Sequence, residues 1–118
     1  MSAARCRLAV MISFRFGGPD GVSVEAAKWA WALGRLGFAV RTVAGTGPVD
    51  VRIEGLGAGS ALTGADPGRL DTARLEAALA DADLVVVENL LSLPLNPAAA
   101  DAVAWLLRGR RAVIRHHD

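Results

Sequence analysis

The sequence predicts an α/β chain built on an open parallel sheet with helices on both faces, and three observations carry that expectation. Short apolar runs alternate with amphipathic segments of helical period, glycine- and proline-bearing turns separate them, and the 118 residues suffice for one domain. With 53% hydrophobic residues, 21% charged residues and a formal net charge of +1, the composition is the reverse of that of a disordered chain.

Residues 8–14 are almost wholly apolar, as expected of a first strand covered on both faces, and Gly17-Gly18-Pro19-Asp20-Gly21 forms a turn after them. Ser23 is placed to cap a helix with Glu25 in its first turn. Val22, Ala26, Trp29, Leu33 and Leu36 follow at spacings of three and four and define one apolar face, which Gly37 can terminate. Trp29 is expected in the core, whereas Trp31 lies off that stripe and marks a possible contact surface.

Residues 38–44 supply a second strand. Val49, Val51 and Ile53 then alternate with Asp50, Arg52 and Glu54, the pattern of a half-wet strand at a sheet edge. Residues 55–68 contain five glycines and Pro67 and no period, which predicts a loop long enough to be mobile or functional. Asp71 caps the next helix, with Leu70 set to pack on Leu75 and with Leu75, Ala78, Leu79 and Ala82 facing inward. Residues 84–87 form another apolar strand ended by Glu88-Asn89. Asn96-Pro97 is a strong helix start, Ala99, Val103, Leu106 and Leu107 form the inner face, and Gly109 closes the helix. Residues 112–115 are a short last strand before His116-His117-Asp118. The expected architecture is a Rossmann-like doubly wound sheet of about five strands and three helices, with right-handed crossovers.

Several function classes are disfavoured. Thirteen basic residues against twelve acidic ones leave no electrostatic footprint for nucleic acid; twelve of the thirteen are arginine, a bias given no functional weight here. Cys6 alone offers neither a disulfide nor a cysteine-based metal site. The opening residues superficially resemble a signal peptide, yet Arg15 ends the apolar stretch and no small-residue cleavage site follows. No run has the length of a membrane span, so the expected location is cytoplasmic. No serine sits in a G-x-S-x-G elbow.

Ligands of open parallel sheets bind beyond the carboxyl ends of the strands. Those ends carry Arg15 to Gly21, then Glu88 and Asn89, then His116, His117 and Asp118, each cluster expected to end a buried strand. Gly17, Gly18 and Gly21 permit close backbone approach to a phosphate at a helix N-terminus, but they match neither G-x-G-x-x-G nor a P-loop, and a plain tight turn explains them as well. His116 and His117 point to opposite faces of a strand and make poor joint metal ligands; either can bond a substrate, and a frayed chain end is the alternative.

The stretch Ile12-Ser13-Phe14-Arg15-Phe16-Gly17-Gly18-Pro19-Asp20-Gly21-Val22-Ser23-Val24-Glu25, the Leu36-Gly37 helix end with residues 38–44, the run Ala82-Asp83-Leu84-Val85-Val86-Val87 and the closing Ala112 to Asp118 together resemble the N-terminal domain of glycosyltransferase family 4, retaining enzymes of GT-B architecture. The resemblance implies a nucleotide-sugar donor as substrate, an acceptor hydroxyl, and no metal or other cofactor. It implies that Gly17 and Gly18 lie against the donor diphosphate and that His117, with His116 in second place, contacts the transferred sugar as the catalytic histidine. Arg15, Gly21, Glu88, Asn89, His116 and Asp118 are then candidate substrate-binding residues. The family's donor-binding C-terminal domain, with its paired-glutamate motif, has no counterpart in these 118 residues, which are therefore expected to be a partial N-terminal domain. Turnover is not expected from the chain alone. A truncated or split reading frame, or a separate chain supplying the donor-binding half, accounts for that arrangement. The alternatives are a stand-alone nucleotide- or phosphate-binding module and a non-catalytic interaction domain, for which Trp31 and the strand around Val51 are the surfaces to inspect.

Overall fold

The apolar run that opens the chain becomes the central strand of a parallel sheet. The computed structural model describes residues 7–17, 21–57, 69–88 and 96–115. In chain order these form β1 (Arg7–Arg15), α1 (Gly21–Arg35), β2 (Phe38–Thr46), β3 (Val51–Arg52), α2 (Thr72–Leu79), β4 (Leu84–Glu88), α3 (Pro97–Leu106) and β5 (Ala112–Arg115). The five strands lie in the order β3-β2-β1-β4-β5, and every pairing is parallel. The Rossmann-like α/β expectation is met.

Side chains of a strand alternate between faces, so β1 feeds two cores. Val10, Ile12 and Phe14 join Val43, Ile53, Leu56, Val85 and Val87 beneath α2 and α3, through Leu75, Ala78, Leu79, Ala99, Val103 and Leu107. Ala9 and Met11 join Val86 on the other face, beneath Ala26 and Leu33 of α1. Helices on both faces explain why β1 reads as continuously apolar.

The helix caps follow the sequence closely. Asp71 accepts the Arg74 N–H at 3.1 Å, and Leu70 packs against the cluster containing Leu75. Asn96 accepts the Ala99 N–H at 3.2 Å, with Pro97 occupying the first helical turn, where a missing N–H costs nothing. At the far end of α2, Arg41 forks onto Asp81 at 2.7 and 3.1 Å and donates to the Ala78 carbonyl at 2.9 Å. The Asp81 bond raises the Arg41 pKa above its ordinary value against a smaller opposing effect of burial.

Other expectations are corrected. Ser23 is not the cap of α1: the helix already includes Gly21, so Ser23 is a buried residue inside it and Glu25 lies beyond the first turn. Leu36 does not belong to the inner face, because α1 ends at Arg35. Leu36 sits in the closing turn, 75% exposed, before Gly37 at φ +95°. Trp29 is only partly buried, while Trp31 is 70% exposed beneath the Arg35 guanidinium. Ala82 and Leu106 are likewise only partly buried, Ala82 lying past the end of α2.

The edge strand β3 is shorter than its alternating pattern suggests. The Asp50 carboxylate accepts the Thr42 N–H at 2.9 Å while Thr42 Oγ1 accepts the Asp50 N–H at 3.0 Å, a side-chain substitute for ladder bonds. Beyond Arg52 the chain turns at Gly55 (φ +83°), whose backbone touches that of Leu70. Leu56, read as loop, is fully buried. Residues 58–68 of the expected loop lie outside the described residues. At the other edge β5 does not end as a buried strand: Ala112, Val113 and Ile114 are all exposed.

Candidate functional site

The strand order reverses at β1 and β4, since β2 and β3 lie to one side of that pair and β5 to the other. Such a reversal leaves a crevice at the carboxyl ends of the strands. The ends here carry Arg15, Glu88 and Arg115.

Glu88 lies two residues beyond Val86 and so shares its α1 face of the sheet, where it has no solvent exposure. A carboxylate taken out of water needs a close partner. Parallel pairing sets Glu88 beside Arg115, and the Arg115 guanidinium donates to Glu88 Oε1 at 2.7 Å. The same guanidinium lies 4.1 Å from the centre of the Trp29 ring, and its other terminal nitrogen is 3.9 Å from Glu25 Oε2. Ser13 Oγ, on β1, donates to the Glu88 carbonyl at 3.2 Å. These contacts tie β1, β4, β5 and α1 together directly at the crevice.

The glycine turn is constrained from its other side. Gly17 has φ +85°, and a Cβ there would come within 2.5 Å of the Pro48 ring, so glycine is required by both backbone and packing. The neighbouring Gly47 (φ +101°) would place a Cβ 2.0 Å from the Phe16 carbonyl oxygen. The loop after β1 and the turn after β2 thus rest on each other.

Of the sequence-predicted site residues, Arg15 is exposed at the end of β1 opposite Thr46, Gly17 follows it, and Gly21 opens α1. Glu88 is on the same edge but fully enclosed, which suits it to bracing more than to contact with solvent-borne substrate. Gly18, Asn89, His116, His117 and Asp118 lie outside the described residues. Arg115, Trp29 and Glu25 were missed. The available signal was an acid and a base ending consecutive strands, with Glu25 and Trp29 four positions apart on the helix between β1 and β2.

Asn96 completes this edge. Its side-chain amide donates to the carbonyls of Gly55 at 2.8 Å and Gly57 at 2.7 Å while its oxygen caps α3, so one buried side chain fastens the chain after β3 to the start of the third helix. Among the described residues, no three His, Cys, Asp or Glu side chains gather as a metal site, and no helix is long and apolar enough to cross a membrane. Set against protein-family models, curated proteins and solved structures, the chain matches none.

Proposed function

We propose that the chain forms the acceptor-side domain of a retaining GT-B glycosyltransferase, working with a donor-binding domain that faces the carboxyl edge of its sheet. In this reading the donor diphosphate lies against Gly17 and Gly18, and His117 meets the transferred sugar. The observation that carries it is the parallel strand order, which brings the ends of β1, β4 and β5 to one edge, three of the four segments on which the family resemblance rests.

The chemistry follows from that placement. Sugar transfer with retention requires the departing diphosphate to be stabilised as its charge develops, and the start of α1, a helix of 15 residues whose first N–H groups have no acceptor within the helix itself, supplies a partial positive charge. The Glu88–Arg115 pair keeps β4 and β5 in register beneath the reacting groups. Arg15, Gly21, Asn89, His116 and Asp118 then surround donor and acceptor. No metal or other cofactor enters the reading.

Amide shifts of the full chain, followed during titration with nucleotide sugars and with pyrophosphate, test the proposal. Weak binding is expected, with movement confined to residues 15–17 and 21–25, and neither sugar transfer nor donor hydrolysis by the chain alone. Unmoved amides at that edge for every donor would overturn it, as would robust turnover without a second domain.

A further inference from the structure

Opposite the face with which α1 packs on the sheet lies a stripe of exposed side chains. Ala26 and Leu33 are buried beneath the helix, whereas Val24, Lys28, Trp31 and Arg35, at spacings of four, three and four, lie on its outer side. Val24 is 48% and Trp31 70% exposed, and the Arg35 guanidinium stands 5.7 Å from the centre of the Trp31 ring. We propose that this stripe docks the protein peripherally on an anionic lipid surface, with α1 lying flat on the bilayer.

The three helices differ in what they show to solvent, and the difference identifies the ligand by its charge. On α2 the exposed charges are Arg74 and Glu76, and no aromatic residue accompanies them. On α3 a similarly exposed tryptophan, Trp105 at 67%, lies beneath the Arg108 guanidinium, but the exposed Asp101 stands one turn before it on the same side. On α1 the one carboxylate is Glu25, which lies beside the stripe, 3.3 Å from Lys28 and 3.9 Å from the Arg115 guanidinium that also holds Glu88. Arg35 meets no carboxylate among the described residues. Of the three helices, α1 alone joins an exposed aromatic ring to a surplus of positive charge.

Those two features suit the interface of a bilayer. An indole ring settles among the headgroups with its apolar body inward and its N–H toward water, while the long stems of lysine and arginine carry their charges to lipid phosphates. An anionic leaflet supplies, at every point of its surface, the negative charge that the stripe lacks. The exposed Ala27, Ala32 and Gly34 keep the flanks of the stripe low and leave the ring projecting; a Cβ at Gly34 would meet nothing within 4 Å. One ring and two cations make the attachment weak and reversible.

Cosedimentation of the full chain with vesicles, at low ionic strength and without nucleotide sugar, tests the proposal. Vesicles of phosphatidylglycerol and phosphatidylcholine in equal parts should carry the protein down and release it at high salt, and pure phosphatidylcholine vesicles should bind it about thirtyfold more weakly. Trp31→Ala should weaken binding about tenfold and Lys28→Gln with Arg35→Gln about thirtyfold, while Trp105→Ala should leave it unchanged. All four side chains are exposed, so the variants should keep the circular dichroism of the parent chain. Absence of binding to the anionic vesicles overturns the proposal, as do equal binding to both kinds of vesicle or equal effects of Trp31→Ala and Trp105→Ala. A concentration-dependent mass that Trp31→Ala abolishes, without vesicle binding, assigns the stripe to a second copy of the chain instead. The crevice takes no part in this assay, so the two readings fail separately.

Discussion

The two edges of the sheet handle charge in opposite ways. At the carboxyl edge the buried Glu88 carboxylate is met at 2.7 Å by Arg115, itself covered by the Trp29 ring, and Asn96 satisfies two loop carbonyls and a helix N–H at once. At the amino edge the arginines are exposed, and Arg111 holds a guanidinium without a protein partner among the described residues. Enclosure explains the contrast. A buried charge that loses its partner bears the full cost of desolvation, whereas an exposed one is solvated by water and remains available to a ligand.

Removing one member of the enclosed pair should produce the largest change. Glu88→Ala or Arg115→Ala is expected to cost about 3–5 kcal/mol in urea unfolding, while replacing both by apolar residues of similar size should cost far less. A loss below about 1 kcal/mol for either single substitution would break the contrast between the edges. Asn96→Ala comes next, at about 2–3 kcal/mol, because it removes a helix cap and leaves two carbonyls short of a donor; the measurement is again the unfolding midpoint.

Gly17→Ala should cost about 2 kcal/mol from its left-handed backbone and the Pro48 contact together. Adding Pro48→Ala sharpens the assignment, since it should return the packing part of the loss and leave the backbone part, a coupling readable in a double-mutant cycle. Arg111→Ala should be the smallest, within about 0.5 kcal/mol in the same assay. A large stability loss there would show that this exposed arginine is structural.

Most of the fold was legible because its signals are local. The caps at Asp71 and Asn96, the alternation around Val51 and the apolar runs of β1 and β4 each report on a few consecutive residues, and each element formed. Misreadings arose where a residue a few positions away decided the outcome. Ser23 lost its capping role because the helix begins at Gly21, and β3 was cut short because Asp50 bonds to Thr42 with its side chain. At the candidate site, Gly17 and Glu88 were visible as strand-end residues. Arg115 was not, since its partners Glu88, Glu25 and Trp29 lie between 27 and 90 positions away in the chain.

The sequence by itself determined that this chain alternates strands with helices, which residues turn inward, and where two of its helices begin. Period, capping chemistry and turn residues act over a few positions and need no knowledge of what packs above them. Only the tertiary structure decided that Glu88 is a paired, enclosed charge and not a solvent-facing base, that Pro48 adds a packing demand to the backbone demand for a glycine at 17, and that the arginines of β1 and of the turn before β5 line one concavity. The physical reason is common to all three. Burial and charge pairing depend on which strands become neighbours, and the order β3-β2-β1-β4-β5 joins segments that the chain itself keeps far apart.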